Sequence, residues 1–184
     1  MKAICLLDRR NVAIREVEAV PPAPGQVAIR PEFVGLCGTD KHVYLGQFEE
    51  RVAYPAILGH EFCGRVAELG RGVEAFQVGD RVVADPVFPC GTCPLCGAGR
   101  FNNCLRLKVL GLDCAGAVAG RVVVDAGNVL ALPGRVEPEH AIMAAMDRPR
   151  WMHAVLDAML AKRLRIIEIS GRFEADLIET GGGA

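Results

Sequence analysis

The stretch PCGTCPLCGAGRFNNC, Pro89 to Cys104, holds four of the chain's eight cysteines, Cys90, Cys93, Cys96 and Cys104. Two C-x-x-C steps share Cys93, and Cys104 follows Cys96 by eight positions. Disulfides or a metal could explain such crowding. Tetrahedral zinc takes thiolates at roughly 2.3 Å, and C-x2-C spacing lets neighbouring sulfurs reach one ion. Gly91, Gly97 and Gly99 permit the tight turns of a metal knuckle. Four cysteines would close the coordination shell, so the zinc would be structural. A loop of free thiols or a redox pair is the alternative reading.

Composition favours the metal. The chain has 184 residues, 51% hydrophobic and 23% charged, an ordinary globular balance with enough length for a real core. A formal net charge of -1 supplies no field for nucleic acid or an anionic membrane. No apolar run approaches the roughly 18 residues of a membrane span. The start, MKAICLLDRR, has too short an apolar stretch for a signal peptide. A cytoplasmic, reducing location is the resulting expectation, and there a dense cysteine cluster reads as metal-binding.

Outward from the loop, the first 135 residues read as short strands between turn signals. MKAICLL and NVAIREVEAV flank Asp8–Asn11, which predicts a hairpin. Pro21–Gly25 is a proline-rich loop. QVAIRPEF sets Val27, Ile29 and Phe33 on one face against Ala28, Arg30 and Glu32 on the other. Pro31 interrupts this run and predicts an edge position or a bulge. Further strands are expected at EFCGRVAEL, at DRVVAD after the Gly79-Asp80 turn, and at GRVVVDA. Such regular spacing points to a β-barrel or sandwich.

After Leu132-Pro133-Gly134 the character changes, and 136–184 reads as a helical and strand segment. Pro138 suits a helix start. Trp151, Val155 and Met159 recur at helical spacing beside Met152, Leu156 and Leu160, in a helix that Asp147 could cap. This stripe reads as core or contact surface. RIIEIS reads as a strand, and FEADLIET as a short helix stopped by Gly181–Gly183. His140 and His153 sit on predicted helices with no partner in reach.

A second constellation is open rather than closed. GLCGTDKHVYLG, residues 35–46, follows a predicted strand, and LGHEF occupies residues 58–62. Cys37, His60 and Glu61 supply a thiolate, an imidazole and a carboxylate, while catalytic zinc keeps three protein ligands and an open position. Singly, Cys37 reads as a small buried hydrophobe and His60 as a hydrogen-bonded structural residue. Cys5, Cys63 and Cys114 fit no ligand spacing and are expected in the core.

Four motifs then stand in a fixed order. They are G-x-C-G-T-D-x-H at Gly35–His42, P-x-x-L-G-H-E-x-x-G at Pro55–Gly64, V-G-D-R-V at Val78–Val82, and the cysteine loop at Cys90–Cys104. Together they resemble the zinc-dependent medium-chain alcohol and polyol dehydrogenases, in their GroES-like catalytic domain. G-T-D-x-H-x-Y and the later LKVLG place the resemblance nearest the sorbitol and threonine dehydrogenase branch. It covers roughly Met1 to Pro133 and implies a mainly β domain over residues 1–135. That domain would be a partly closed barrel with peripheral helices and a zinc-binding lobe.

The resemblance also implies roles. Cys37 and His60 would hold a catalytic zinc, with Glu61 a direct or alternating ligand. Thr39 would set its hydroxyl against the alcohol and begin a proton relay that His42 passes on. Asp40 would orient a ligand from behind. Hydride would go to NAD or NADP, and the substrate would be a small alcohol or polyol. Alternatively, Thr39 and Asp40 could simply cap a helix beginning at Lys41.

The chain also departs from the family. Members carry a Rossmann domain whose G-x-G-x-x-G turn cradles the cofactor pyrophosphate. No such element is found, and Gly111, Gly116 and Gly120 have the wrong spacing. Where the resemblance implies the family's remaining zinc ligand, this chain reads AIMAAMDRPRW, with no Glu-Pro or matching cysteine in that stretch, and Asp147 is a weak substitute. HAVLDAMLAKRLRIIEISGRFEADLIE faintly resembles the segment that returns to the catalytic domain after the nucleotide-binding domain. Two classes of function follow: an alcohol or polyol dehydrogenase represented by its catalytic domain, or a zinc-stabilised binding module without redox chemistry. A homo-oligomer or a partner supplying a nucleotide domain fits the first.

Overall fold

The computed structural model describes residues 1–132, Gly134 and Val136, and the backbone of Ile167 and Glu168. The chain opens with the expected hairpin, β1 (Lys2–Asp8) against β2 (Asn11–Glu16), antiparallel with a register shift between Leu6 and Asp8. After the proline-rich loop come β3 (Gln26–Gly35), the short helix α1 (Gly38–Tyr44), β4 (Ala56–Ile57) and β5 (Glu61–Leu69). β6 (Arg81–Ala84) and β7 (Val87–Phe88) lead into the cysteine loop, which contains the single turn α2 (Pro94–Gly97). β8 (Lys108–Val109), β9 (Val122–Asp125), β10 (Val129–Ala131) and β11 (Ile167–Glu168) complete the described strands, with 3-10 turns at Phe101–Asn103 and Ala126–Asn128.

The main sheet runs β10-β6-β5-β3-β11, with β9 also on β3, and every pairing in it is antiparallel. A smaller sheet, β2-β1-β4, lies beside it, and an isolated bridge ties Ala3 of β1 to Ala119, three residues before β9. The mainly β, curled architecture with peripheral helices is as expected.

β3 is central rather than marginal, and it accommodates Pro31 by a bulge. Its register with β5 shifts between Ala28 and Ile29 and again between Pro31 and Phe33. On its other side, β9 pairs only through Ile29 and β11 only with Phe33 and Val34. Proline therefore falls between two partners, where its missing N–H breaks no ladder bond. The simple two-face alternation fails here for the same reason. Val27, Ala28 and Ile29 are all fully buried, because the sheet curls and covers both faces at this point.

The core is built from β-branched residues at strand positions: Val27, Ile29, Val66, Val82 and Val124 surround Phe62, each with almost no exposure. Burying a side chain of this kind is worth about 1.5–3 kcal/mol, so the curled sheet is a firm platform. Cys5 and Cys63 belong to the buried interior, as expected. Cys114 does not: it is exposed, on the tight turn where Gly111 N–H bonds Cys114 O at 2.9 Å.

The predicted helices over 138–165 and 173–180, with Asp147, Trp151, the methionine stripe, His140 and His153, lie outside the described residues. Of the tail, only β11 is described, inside the predicted RIIEIS strand. Among the described residues no helix is long and apolar enough to cross a membrane.

Residues 57–59 are clamped by 116–118. Gly116 N–H bonds Ile57 O at 2.7 Å, Ala117 N–H bonds Gly59 O at 2.8 Å, and Val118 N–H bonds Leu58 O at 3.0 Å. A Cβ on Gly116 would stand 2.2 Å from Leu58 O, a backbone atom that cannot swing away. Gly116→Ala should therefore lower stability by about 1–3 kcal/mol, the usual cost of overpacking, read as an earlier urea midpoint. A wild-type midpoint would contradict this close approach.

Candidate metal centres

Two groups of side chains come together as sets that could hold a metal ion, Cys37–His60–Glu61 and Cys90–Cys93–Cys96–Cys104; within each set the ligand atoms all lie within 4.8 Å of one another.

The open set is assembled where α1 meets the start of β5. α1 begins earlier than Lys41: its N-cap is Cys37, whose sulfur accepts the Thr39 N–H at 3.2 Å. Asp40, at the third helical position, closes a capping box by accepting the Cys37 N–H at 2.9 Å. Thr39 is thus inside the first turn, not a cap, and Asp40 caps through its side chain from within. The second Asp40 oxygen accepts the Gly59 N–H at 3.0 Å. One carboxylate thereby ties the helix start to the residue before His60. Gly59 has φ +87, where any side chain is strained, and a Cβ there would meet Val118 Cγ2 at 2.6 Å. The turn that aims His60 inward depends on glycine.

The result brings Cys37 Sγ to 3.1 Å from His60 Nε2, across 23 residues of sequence, with Glu61 Oε1 3.9 Å from the same nitrogen. His60 and Asp40 are each only 4% exposed. His60 Nδ1 is buried without a hydrogen-bond partner, and Asp40 Oδ1 faces it at 3.6 Å. Burial opposes charge on His60, but the Asp40 carboxylate and the Cys37 sulfur outweigh it and push its pKa up to about 10. Burial also works against the Asp40 charge, but His60 and the two N–H donors hold its carboxyl below the usual range. Burial pushes the Glu61 carboxyl up. A cation held between Cys37 and His60 must displace protons, so its uptake is coupled to proton release. A soft sulfur, an imidazole nitrogen and an oxygen at this spacing suit zinc and supply three of the four donors that a tetrahedral ion takes.

His42 lies three residues beyond Thr39 on α1, so the two share a helix face. It is exposed, and its ring stands edge-on to Phe48 at 6.4 Å.

The closed set draws all four of its sulfurs from one loop. All four thiols are free, and Cys93 Sγ lies 3.5 Å from Cys96 Sγ and 4.0 Å from Cys104 Sγ. Four sulfurs placed tetrahedrally at 2.3 Å from one ion would be about 3.8 Å apart, which these distances straddle; a disulfide would need about 2.05 Å. Bonding from the Thr92 backbone N–H, followed by neighbouring sulfur and guanidinium groups, draws the Cys90 thiol down to about 5, whereas burial pushes Cys96 up to about 12.

The lobe lacks an apolar core of its own. Around Cys93, Cys96 and Cys104 only Cys90, Leu95 and Leu107 pack, each partly buried. Two half-buried leucines contribute at most about 1.5–3 kcal/mol each. Ordering the lobe's backbone costs on the order of 1–2 kcal/mol per residue. A metal ion shared by the four thiolates would supply the missing stability.

A spacing not singled out in the sequence also occurs. Gly70-Arg71-Gly72-Val73-Glu74-Ala75 follows β5 with the G-x-G-x-x-A pattern of a phosphate turn. Here the chain turns back toward β6 with no helix after it, and a Cβ on Gly70 would stand 2.0 Å from Ala23 O. Gly70 serves a close backbone approach and Gly72 a left-handed turn at φ +84, neither of them a phosphate.

A family model described as the alcohol dehydrogenase GroES-like domain matches residues 23–134. The 2-dehydro-3-deoxy-L-galactonate 5-dehydrogenase of Pseudoalteromonas atlantica is 39% identical over 137 residues, 74% of this chain and 40% of that protein. The L-threonine 3-dehydrogenase of Pyrococcus horikoshii is 38% identical over 130 residues, 70% of this chain and 37% of that protein. Among solved structures, an Escherichia coli alcohol dehydrogenase (rspB) complexed with NADH superposes with a TM-score of 0.73 at 38% identity. The match covers 78% of this chain and 42% of that one. The chain thus spans about two-fifths of the length of these relatives.

If the four-cysteine set holds zinc, Cys93→Ser should lose most of one zinc equivalent by metal analysis. Its melting temperature should fall by more than about 2–4 °C, the shift that 1 kcal/mol makes in a chain of this size. Zinc retained in full by that variant, or a disulfide among the four, would contradict the assignment.

Proposed function

The chain belongs to the alcohol dehydrogenase GroES-like domain family, and from that membership we propose that it forms the zinc-holding catalytic domain of an NAD- or NADP-linked alcohol or polyol dehydrogenase. The observation that carries the reading is the open set. Cys37 and His60 stand 3.1 Å apart with Glu61 alongside, backed by the buried Asp40 carboxylate.

Zinc bound there would act as a Lewis acid on an alcohol oxygen, favouring loss of its proton and then of hydride to a nicotinamide. The chain's own residues would do the rest. Asp40 faces His60 Nδ1, the ring nitrogen turned away from Cys37, and so would fix the tautomer that leaves Nε2 free to ligate. Glu61, whose Oε1 lies 3.9 Å from His60 Nε2, is placed to serve as a direct or alternating ligand. The Thr39 hydroxyl would accept the alcohol's proton while passing its own on toward exposed His42, one turn further along, which would in turn release a proton to water. The four-cysteine set would hold a structural zinc.

The nicotinamide partner is not provided by the described residues, and a nucleotide-binding domain would supply it. The L-threonine and 2-dehydro-3-deoxy-L-galactonate dehydrogenases among the relatives favour a small polyhydroxylated or hydroxylated substrate. The pairing of Ile167–Glu168 with Val34 and Phe33 supports reading 136–184 as the segment that returns to complete this domain. Four free thiols gathered at ion-sharing distance suit a reducing, cytoplasmic setting.

Metal analysis and cobalt spectroscopy test the proposal. The protein should carry two zinc equivalents, one of them lost in Cys37→Ala, and mild chelation should strip that one first because it has a single sulfur ligand. In protein with cobalt at the open set, added small polyols should change the visible spectrum, and Cys37→Ala should abolish the response. Two equivalents that resist chelation equally, or a fully loaded site blind to every alcohol, would overturn the reading.

A further inference from the structure

We propose that Arg106 is a positioning residue that clasps the four-cysteine lobe, holding Cys90, its least buried cysteine, in the ligand set. The inference rests on the reading that these cysteines bind zinc. The lobe is asymmetric: Cys93, Cys96 and Cys104 are buried, whereas Cys90 is only partly so. A ligand that water and electrophiles can reach is the one from which a closed site opens.

Arg106 touches both ends of the loop. Its backbone N–H bonds Cys104 Sγ at 3.3 Å. Its guanidinium Nη2 stands 3.6 Å from Cys90 Sγ and 2.6 Å from Thr92 Oγ1, and Thr92 Oγ1 is itself 3.8 Å from Cys90 Sγ. The Cys90 backbone N–H bonds Cys104 Sγ at 3.2 Å, so the first and last ligands are already cross-linked. The exposed guanidinium is committed to this corner and adds the one cationic donor among these bonds.

The chemistry fits that placement. Four thiolates around a divalent cation keep a net negative charge, and a guanidinium offsets part of it. A charge-assisted N–H···S bond also withdraws electron density from Cys90, making it a poorer nucleophile toward protons, oxidants and alkylating agents. Partners of metal ligands commonly matter by tenfold or more in metal affinity. Substituting the side chain leaves the backbone bond to Cys104 in place, so the guanidinium can be tested separately.

The experiment uses the full chain in a Cys37→Ala background, so that one zinc remains. Zinc release to a chromogenic chelator is followed with and without N-ethylmaleimide, and the alkylated cysteines are mapped by mass spectrometry. Arg106→Ala should release zinc about tenfold faster, with Cys90 alkylated first; Arg106→Lys should restore part of the protection. With cobalt in the lobe, Arg106→Ala should move the thiolate-to-cobalt charge-transfer band to lower energy, a change that loop stiffening alone would not produce. Should Arg106→Ala fail to fold, Thr92→Val, which removes the guanidinium's other anchor, should show the same effects in weaker form. Release rates within twofold of the parent, with an unmoved band, would overturn the clasp while leaving the zinc reading intact. A parent chain without lobe zinc would overturn both.

Discussion

One buried carboxylate holds the open site together. Asp40 accepts N–H groups from Cys37 and from Gly59 and faces the free nitrogen of His60. Its two oxygens thus reach both ligand-bearing segments, α1 and the turn into β5, and set the separation of sulfur and imidazole. A carboxylate buried this deeply is costly unless it is fully bonded. Here the donors and the facing imidazole supply that compensation, and the site geometry is the consequence.

The rest of the domain keeps those two segments in place. The long β3–β5 pairing delivers α1 and His60 to the same end of the sheet. The 116–118 strip grips residues 57–59 from the other side at backbone-to-backbone distance. The cysteine lobe obeys a different economy. It hangs from the short β7–β8 pair, buries little apolar surface and gathers four sulfurs instead. Burial therefore organises one metal set, and metal would organise the other.

Much of this was legible in the sequence. Regular turn signals marked the first hairpin, β5, β6 and β9. The spacing of Cys90, Cys93, Cys96 and Cys104 is local, so their convergence could be read directly. The ordered motifs singled out Cys37, His60 and Glu61, although their meeting is a long-range event that no spacing encodes. What escaped reading depends on tertiary contacts. The helix start shifted from Lys41 to Gly38 because cysteine, a rare cap, accepts the Thr39 N–H. Pro31 is compatible with an edge or a bulge, and only the partners on both sides of β3 decide between them. Cys114 looked like core because its exposure follows from a turn shaped by packing elsewhere. Gly70–Ala75 matched a phosphate turn in letters only, since no helix follows it.

The central claim is that one chain builds two unlike zinc sites, an all-sulfur shell and a mixed, open one. Zinc-edge X-ray absorption on fully loaded protein tests it most directly. The account predicts a sulfur shell near 2.3 Å together with a nitrogen and oxygen shell near 2.0–2.1 Å, the latter vanishing in Cys37→Ala while the sulfur shell remains. A spectrum of sulfur alone, unchanged by that substitution, would contradict it.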